Sequence, residues 1–200
     1  MANHVYCNIE VRNASDKVVA YLSELVTSPP NAFDYCINYD MLYDNFDGEE
    51  TRAWMTENVG AKWLQVEDVG GDYLTVMTAW DSPDQFFQIL CEKLQTIQNN
   101  VEVVMHYEDE MPNFFGVWVY DGLGQEFDNL HIDDSEYEAD MGVRPMDMDD
   151  IAELHSLDID DDYDQIDELM EENNDKFRDE MHNQQYDFIQ EWFAVEEELV

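Results

Sequence analysis

The sequence predicts an α+β fold, an antiparallel sheet carrying two helices and followed by an acidic helical region, and three observations lead to it. Hydrophobic periods of two and of about 3.6 residues alternate along residues 1–128. A glycine pair, Gly70-Gly71, followed by Asp72, separates two apolar runs as a hairpin turn does. Charge is one-sided and uneven: residues 1–100 hold 16 acids and 5 bases, residues 101–200 hold 33 and 3, and the 200-residue chain carries a formal net charge of -41. With 44% hydrophobic and 13% aromatic residues, the chain is too apolar for a disordered acidic tail and can bury a core.

The elements follow in order. HVYCNIEVR alternates, with Val5, Cys7, Ile9 and Val11 on one side, and reads as a half-buried strand. Ser15 can cap a helix whose apolar positions Val18, Val19, Leu22, Leu25 and Val26 follow the helical period and which ends near Pro29-Pro30. Residues 31–60 are aromatic and turn-rich, without a clear period. AKWLQVEDV and YLTVMTAW then flank Gly70-Gly71-Asp72, where glycine would supply a positive φ. In SPDQFFQILCEKLQ, Ser82 is expected at the N-cap, Pro83 at the first helical position and Gln85 closing a capping box, with Phe86, Leu90 and Leu94 stacked behind. VEVVMHY is a further strand, and FFGVWVY, the Gly122–Gly124 turn and QEF add a hairpin. Strand, helix, strand, strand, helix, strand is the order of the ferredoxin-like split βαβ, here with an extra hairpin and one sheet face covered by two helices.

This defines a ferredoxin-like domain over 1–128. Residues 129–148 have few large aliphatics and many acids and read as an acidic linker or exposed loop, and 149–200 as an acidic helical extension. There DIAELHSL suits a short helix and residues 162–199 a long one. Its stripe, Tyr163, Ile166, Met170, Phe177, Met181, Phe188, Trp192, Val195 and Leu199, is interrupted at Asn173 and Gln184, with a break allowed at Asn173-Asn174.

Within ENVGAKWLQVEDVGGDYLTVMTAW and the helix after it, Asn58, Gly60, Lys62, Trp63, Thr78, Ala79, Trp80, Ser82, Pro83 and, further on, Gly116 stand in a recognisable pattern. On these residues the chain resembles the YubB ferredoxin-like domain of phage and plasmid proteins, with Val59 where that family usually has Trp. The resemblance covers roughly residues 1–125. It implies a fold and a mobile-element origin but no activity and no catalytic residue, and the matching aromatics are read as core.

Several chemistries are excluded. Binding of nucleic acid or an anionic membrane needs Lys and Arg, of which there are 8 against 49 acids. Cys7, Cys36 and Cys91 form no CxxC or Cys/His cluster, which argues against a disulfide framework or zinc and for a reducing cytosol; MANHVYCNIEV lacks a basic region followed by an apolar run, and no stretch approaches 18 apolar residues, so neither export nor membrane spanning is expected. His4, His106, His131, His155 and His182 make no metalloprotease motif, no nucleotide-binding or nucleophile-elbow motif occurs, and negative surroundings disfavour a thiolate. No enzyme activity, cofactor or metal is expected. Asp160, Asp162, Asp164 and Glu171 have EF-hand spacing, but Gln165 occupies the position where the loop's sharp turn requires glycine, so the match is what a dense acid run produces by chance.

Residues 156–180 hold twelve acids and two bases: Asp158, Asp160, Asp161, Asp162, Asp164, Asp167, Glu168, Glu171, Glu172, Asp175, Asp179 and Glu180 against Lys176 and Arg178. A solvated helix face normally interleaves both signs. If helical, 158–180 would rise about 34 Å, one charge per roughly 3 Å, close to the ~3.4 Å per phosphate of one DNA strand. Asp133, Asp134, Glu136 and Glu138 add a second group within the acids of 128–150, and Glu196, Glu197 and Glu198 a third. The expectation is a phage-type, DNA-mimicking inhibitor acting in the host cytoplasm on the basic groove of a nucleic-acid-binding protein or defence complex. Two rivals are an assembly module that dimerises through Phe188, Trp192 and Phe193, and adaptation to high salt, which should spread acids over both halves.

Overall fold

The computed structural model describes residues 3–27 and 35–197, with side chains as far as Ala194. Pro29-Pro30, the side chains of Val195 and Leu199 and the carboxylates of Glu196, Glu197 and Glu198 lie outside the described residues. The chain is α+β, with a six-stranded antiparallel sheet and a long C-terminal helix. In order come β1 (His4–Arg12), α1 (Asp16–Leu25), β2 (Val26–Thr27), β3 (Cys36–Ile37), a 3₁₀ turn (Tyr39–Met41), α2 (Arg52–Asn58), β4 (Leu64–Val69), β5 (Tyr73–Ala79) and α3 (Asp84–Ile97). They are followed by β6 (Glu102–Asp109), β7 (Phe114–Asp121), β8 (Glu126–Asp133), α4 (Tyr137–Asp140), α5 (Met148–His155) and α6 (Tyr163–Glu197). The sheet order is β4-β5-β1-β6-β7-β8. Two compact units result: the described residues up to Met111 with Phe115–Leu130, and Pro112–Phe114 with the residues from His131 onward.

In the first unit, Val5, Cys7, Ile9 and Val11 of β1 are buried on one side, as the alternation predicts. Ile9, Met105 and Trp118 stand in register across β1, β6 and β7 and therefore share that face. Helix α3 lies on it: Trp118 Nε1 donates to Asp84 Oδ1 at 3.0 Å, and Phe87 packs 6.3 Å from the Trp118 ring. Val18, Leu22 and Leu25 of α1, with Phe86, Phe87, Leu90, Cys91 and Leu94 of α3, complete a core whose burial drives folding of the unit. The other face is divided. Tyr6, Asn8 and Glu10 of β1 are exposed, but Val104, Phe115, Val117 and Val119 are buried. The sheet is thus not one-sided; FFGVWVY lacks alternation because β7 is buried on both faces. Gly116 sits in register with Tyr107, and a Cβ there would run into the Tyr107 phenol and the Leu130 carbonyl, which Tyr107 Oη engages at 3.3 Å.

Four local expectations change. α1 starts after Ser15 but stops at Leu25, because Val26 and Thr27 pair with Ile37 and Cys36 as a small ribbon. Pro83, not Ser82, is the N-cap of α3; the Ser82 hydroxyl donates instead to Asp84 Oδ1 at 2.5 Å. The β4–β5 hairpin forms, yet neither Gly70 nor Gly71 takes a positive φ; Gly70 lacks a side chain because the Tyr73 ring lies against it. Trp80 is not core: it is 46% exposed, at φ 79°, with Lys62 Nζ 3.8 Å from its ring centroid. The irregular stretch before β4 is held by Tyr39, Tyr43 and Phe46 packed around Trp54 at 5.2, 5.1 and 4.9 Å.

In the second unit, the stretch read as linker contains the end of β8 and α4. Tyr137 is buried, its hydroxyl bonding Pro112 O at 3.1 Å and its ring 4.8 Å from Phe177. Asp147 caps α5 by accepting from Asp150 N at 2.9 Å, and Ser156 ends it in the left-handed conformation. α5 packs on α6 through Ile151, Ala152 and Ile166. α6 is continuous through Asn173-Asn174, and the polar interruption has a cause: Asn173 Nδ2 donates to Arg144 O at 2.9 Å, while Asn174 both accepts from Met146 N at 3.1 Å and donates to Met146 O at 3.3 Å. The buried line is Ile166, Phe177, Met181, Gln185 and Ile189. Tyr163 is 53% exposed, and Gln185 and Ile189 are buried where Gln184 and Phe188 were expected on the stripe.

Candidate partner-binding surface

The twelve carboxylates of 158–180 divide between two local structures. Asp158, Asp160, Asp161 and Asp162 form the turn before α6 rather than part of a rod, which shortens the predicted helical segment to residues 163–180, about 27 Å. The turn is built from its own acids: Asp158 N donates to Asp162 Oδ2 at 3.1 Å, Asp160 N to Asp158 Oδ1 at 3.0 Å, and Asp162 O receives the α6 amide of Ile166 at 3.0 Å. Four negative charges are tolerated there because the unpaired amides of a helix start carry partial positive charge.

The other eight, Asp164, Asp167, Glu168, Glu171, Glu172, Asp175, Asp179 and Glu180, lie on α6. At about 100° per residue, all but Glu180 fall within an arc of about 140°. Ile166 and Phe177 point away from that arc into the buried side, so helical phase alone gathers the acids on the solvent side. From Asp164 to Glu180 the rise is about 24 Å, one carboxylate per roughly 3 Å. The row is partly compensated. Lys176 Nζ reaches Glu172 Oε1 at 2.7 Å, a hydrogen bond and charge that lower the Glu172 pKa, and Arg178 Nη1 reaches Asp175 Oδ1 at 3.1 Å. Exposed pairs of this kind are weak and leave the arc strongly negative.

Asp133 ends β8, Asp134 and Glu136 lie in the turn that follows, Glu138 is on α4, and they have local tasks. Asp133 N donates to Glu136 Oε2 at 3.3 Å, Asp134 N to Asn113 O at 2.7 Å, and Glu138 Oε1 lies 3.3 Å from Arg144 Nε. Arg144 also holds Asp150 with two bonds of 3.1 Å, which keep the Asp150 carboxyl below its ordinary value. The Arg144 guanidinium thus ties α4 to α5, while the Arg144 backbone carbonyl accepts from the Asn173 amide of α6. The hub has one signal in the sequence, rarity, since Arg144, Lys176 and Arg178 are the three bases of residues 101–200.

The EF-hand positions do not form a loop, because α6 begins at Tyr163 and runs through Glu171. Among the described residues, no group of three or more His, Cys, Asp or Glu side chains is arranged to hold a metal, and no helix is long and apolar enough to cross a membrane. Cys7 and Cys91 are buried, which pushes both thiols far up, whereas Cys36 is exposed. Of the residues that carry the YubB resemblance, Gly60, Trp63 and Thr78 lie near the end of β5 and the start of α3, whereas Asn58 ends α2 and Gly116 lies on β7 against Tyr107. The Thr78 hydroxyl donates to Asp81 O at 2.7 Å, Gly60 has φ 94° against Gln85, and Trp63 packs 5.6 Å from His4. Compared with known protein families, curated proteins and solved structures, the chain gives no match in any of the three.

Proposed function

We propose that this is an acidic, non-enzymatic inhibitor that occupies the basic groove of a nucleic-acid-binding protein in the manner of a DNA strand. The observation that carries the reading is the α6 arc: seven carboxylates, Asp164 to Asp179, on one side of a continuous helix, one per roughly 3–4 Å of rise, near the ~3.4 Å per phosphate of one DNA strand. A rigid helix fixes charge spacing in advance, so little ordering entropy is lost on binding, and the unbalanced field speeds encounter with a cationic partner. We read the fold as a ferredoxin-like split βαβ: β1 and β4 run parallel with β5 between them, and β6 lies on the other side of β1. With the YubB-like residues, this supports a phage or plasmid origin and action in a host cytoplasm.

The test is capture at low salt from a bacterial host lysate on the immobilised chain, with salt-gradient elution. Each eluted protein is then assayed for release of labelled duplex DNA on adding the chain. Basic nucleic-acid-binding proteins that elute with rising salt and lose their DNA support the reading; capture without displacement, or no capture, removes it. Self-association is the second reading, favoured by the half-exposed Trp192 and Phe193, whose rings meet at 4.8 Å. A homodimer in sedimentation that persists at high salt, with no DNA displacement, would establish it instead.

A further inference from the structure

The small core of α5 and α6 takes Ile151, Ala152 and Ile166, with Leu157, Leu169 and Met170 packed against it, and leaves other large apolar residues of the same segment in solvent. Leu154 is 62% exposed, Ile159 38% and Tyr163 53%. Single exposed apolar residues need no explanation. These three, however, are three of the nine exposed large hydrophobics among the described residues, and they fall within ten residues of chain. The same ten residues carry Asp158, Asp160, Asp161 and Asp162, and Asp164 follows directly. Apolar side chains inside a dense field of one charge are the composition of an interface centre with its rim, in which the apolar groups supply affinity and the charges orientation.

We propose that the α5–α6 turn anchors the protein partner: a basic polypeptide surface presenting apolar side chains or an apolar socket rimmed by Lys and Arg. The proposal rests on the acidic reading of α6 and adds to it, because phosphates alone would require no apolar anchor. A second copy of this chain is the wrong occupant, since it would set five carboxylates against the same five. The anchor makes the partner a protein that buries apolar surface at the edge of its cationic groove, and that contact survives salt that weakens the charged part.

The test uses the full chain and two synthetic peptides of equal length and charge, one of Lys and Gly, the other with Leu and Phe among the lysines, followed by fluorescence anisotropy. At about 0.15 M salt the second peptide should bind about tenfold tighter. Leu154→Ser, Ile159→Ser and Tyr163→Ser together should erase that difference while leaving the Lys/Gly peptide unaffected, and unchanged circular dichroism checks the fold. Asp160→Asn, Asp161→Asn and Asp164→Asn should weaken both peptides alike. Equal binding of the two peptides, or a preference that survives the serine variant, overturns the anchor and leaves the acidic surface standing. Binding of neither peptide overturns both, and a dimer that the serine variant dissolves, without peptide preference, assigns the turn to self-association.

Discussion

At the residue scale, burial and charge decide behaviour that composition leaves open. The three cysteines look alike in sequence, but only Cys36 reaches solvent; Cys7 and Cys91 are enclosed, and burial disfavours their thiolates. A thiol reagent should therefore titrate one cysteine quickly in the native protein and the other two only as denaturant unfolds it; fast reaction of all three would contradict the packing. Arg144 is the sharper case. Its guanidinium lowers the Asp150 pKa, so the pair adds stability above the ordinary aspartate value of about 4, and that stability is lost as pH falls through the lower folded value. Arg144→Ala should cost about 0.5–1 kcal/mol at pH 7, a figure discounted because both side chains are more than a third exposed. Thermal melts of the two proteins should converge as acid protonates Asp150; a gap that persists there would assign Arg144 a packing role instead.

At the element scale, α6 shows how far a periodicity can be read. The gathering of acids opposite Ile166 and Phe177 came with the structure, whereas the helix itself was legible in a step of 3.6 residues. Its phase was not. Tyr163 and Phe188 look like stripe residues, but over a helix of 35 residues a small drift in the buried line moves it to Gln185 and Ile189. Asn173 and Asn174 looked like a weak point and are a fastening, because the backbone at Arg144 and Met146 needs partners there and an amide offers both donor and acceptor. Asn174→Leu would extend the apolar stripe yet strand Met146 N and O, so it should destabilise the protein by about 1–3 kcal/mol, read from urea unfolding. A stabilising leucine would show that the stripe, not the clamp, governs the helix.

For the whole molecule, the net charge of -41 is the dominant long-range term. Self-repulsion opposes the compact state and is screened as the Debye length falls from about 30 Å at 0.01 M to about 10 Å at 0.1 M salt. The melting temperature should therefore rise by several degrees over that range, while affinity for a polycation falls; a salt-independent melt would mean that local pairing already offsets the repulsion.

The sequence by itself determined β1, α1, the β4–β5 hairpin, α3 and β6, the buried line of β1 and the acidic character of the last third, because each depends on local period or on counting charges, whereas β2, β3 and α2 left no such period. Tertiary structure alone decided that β7 is buried on both faces and that Trp80 stands in solvent. It also decided that four aspartates fold into a turn before the rod begins, and that Arg144 and two asparagines bind α4, α5 and α6 together. Those outcomes depend on the packing surfaces and hydrogen-bond partners that the fold brings together, and no spacing along the chain encodes that.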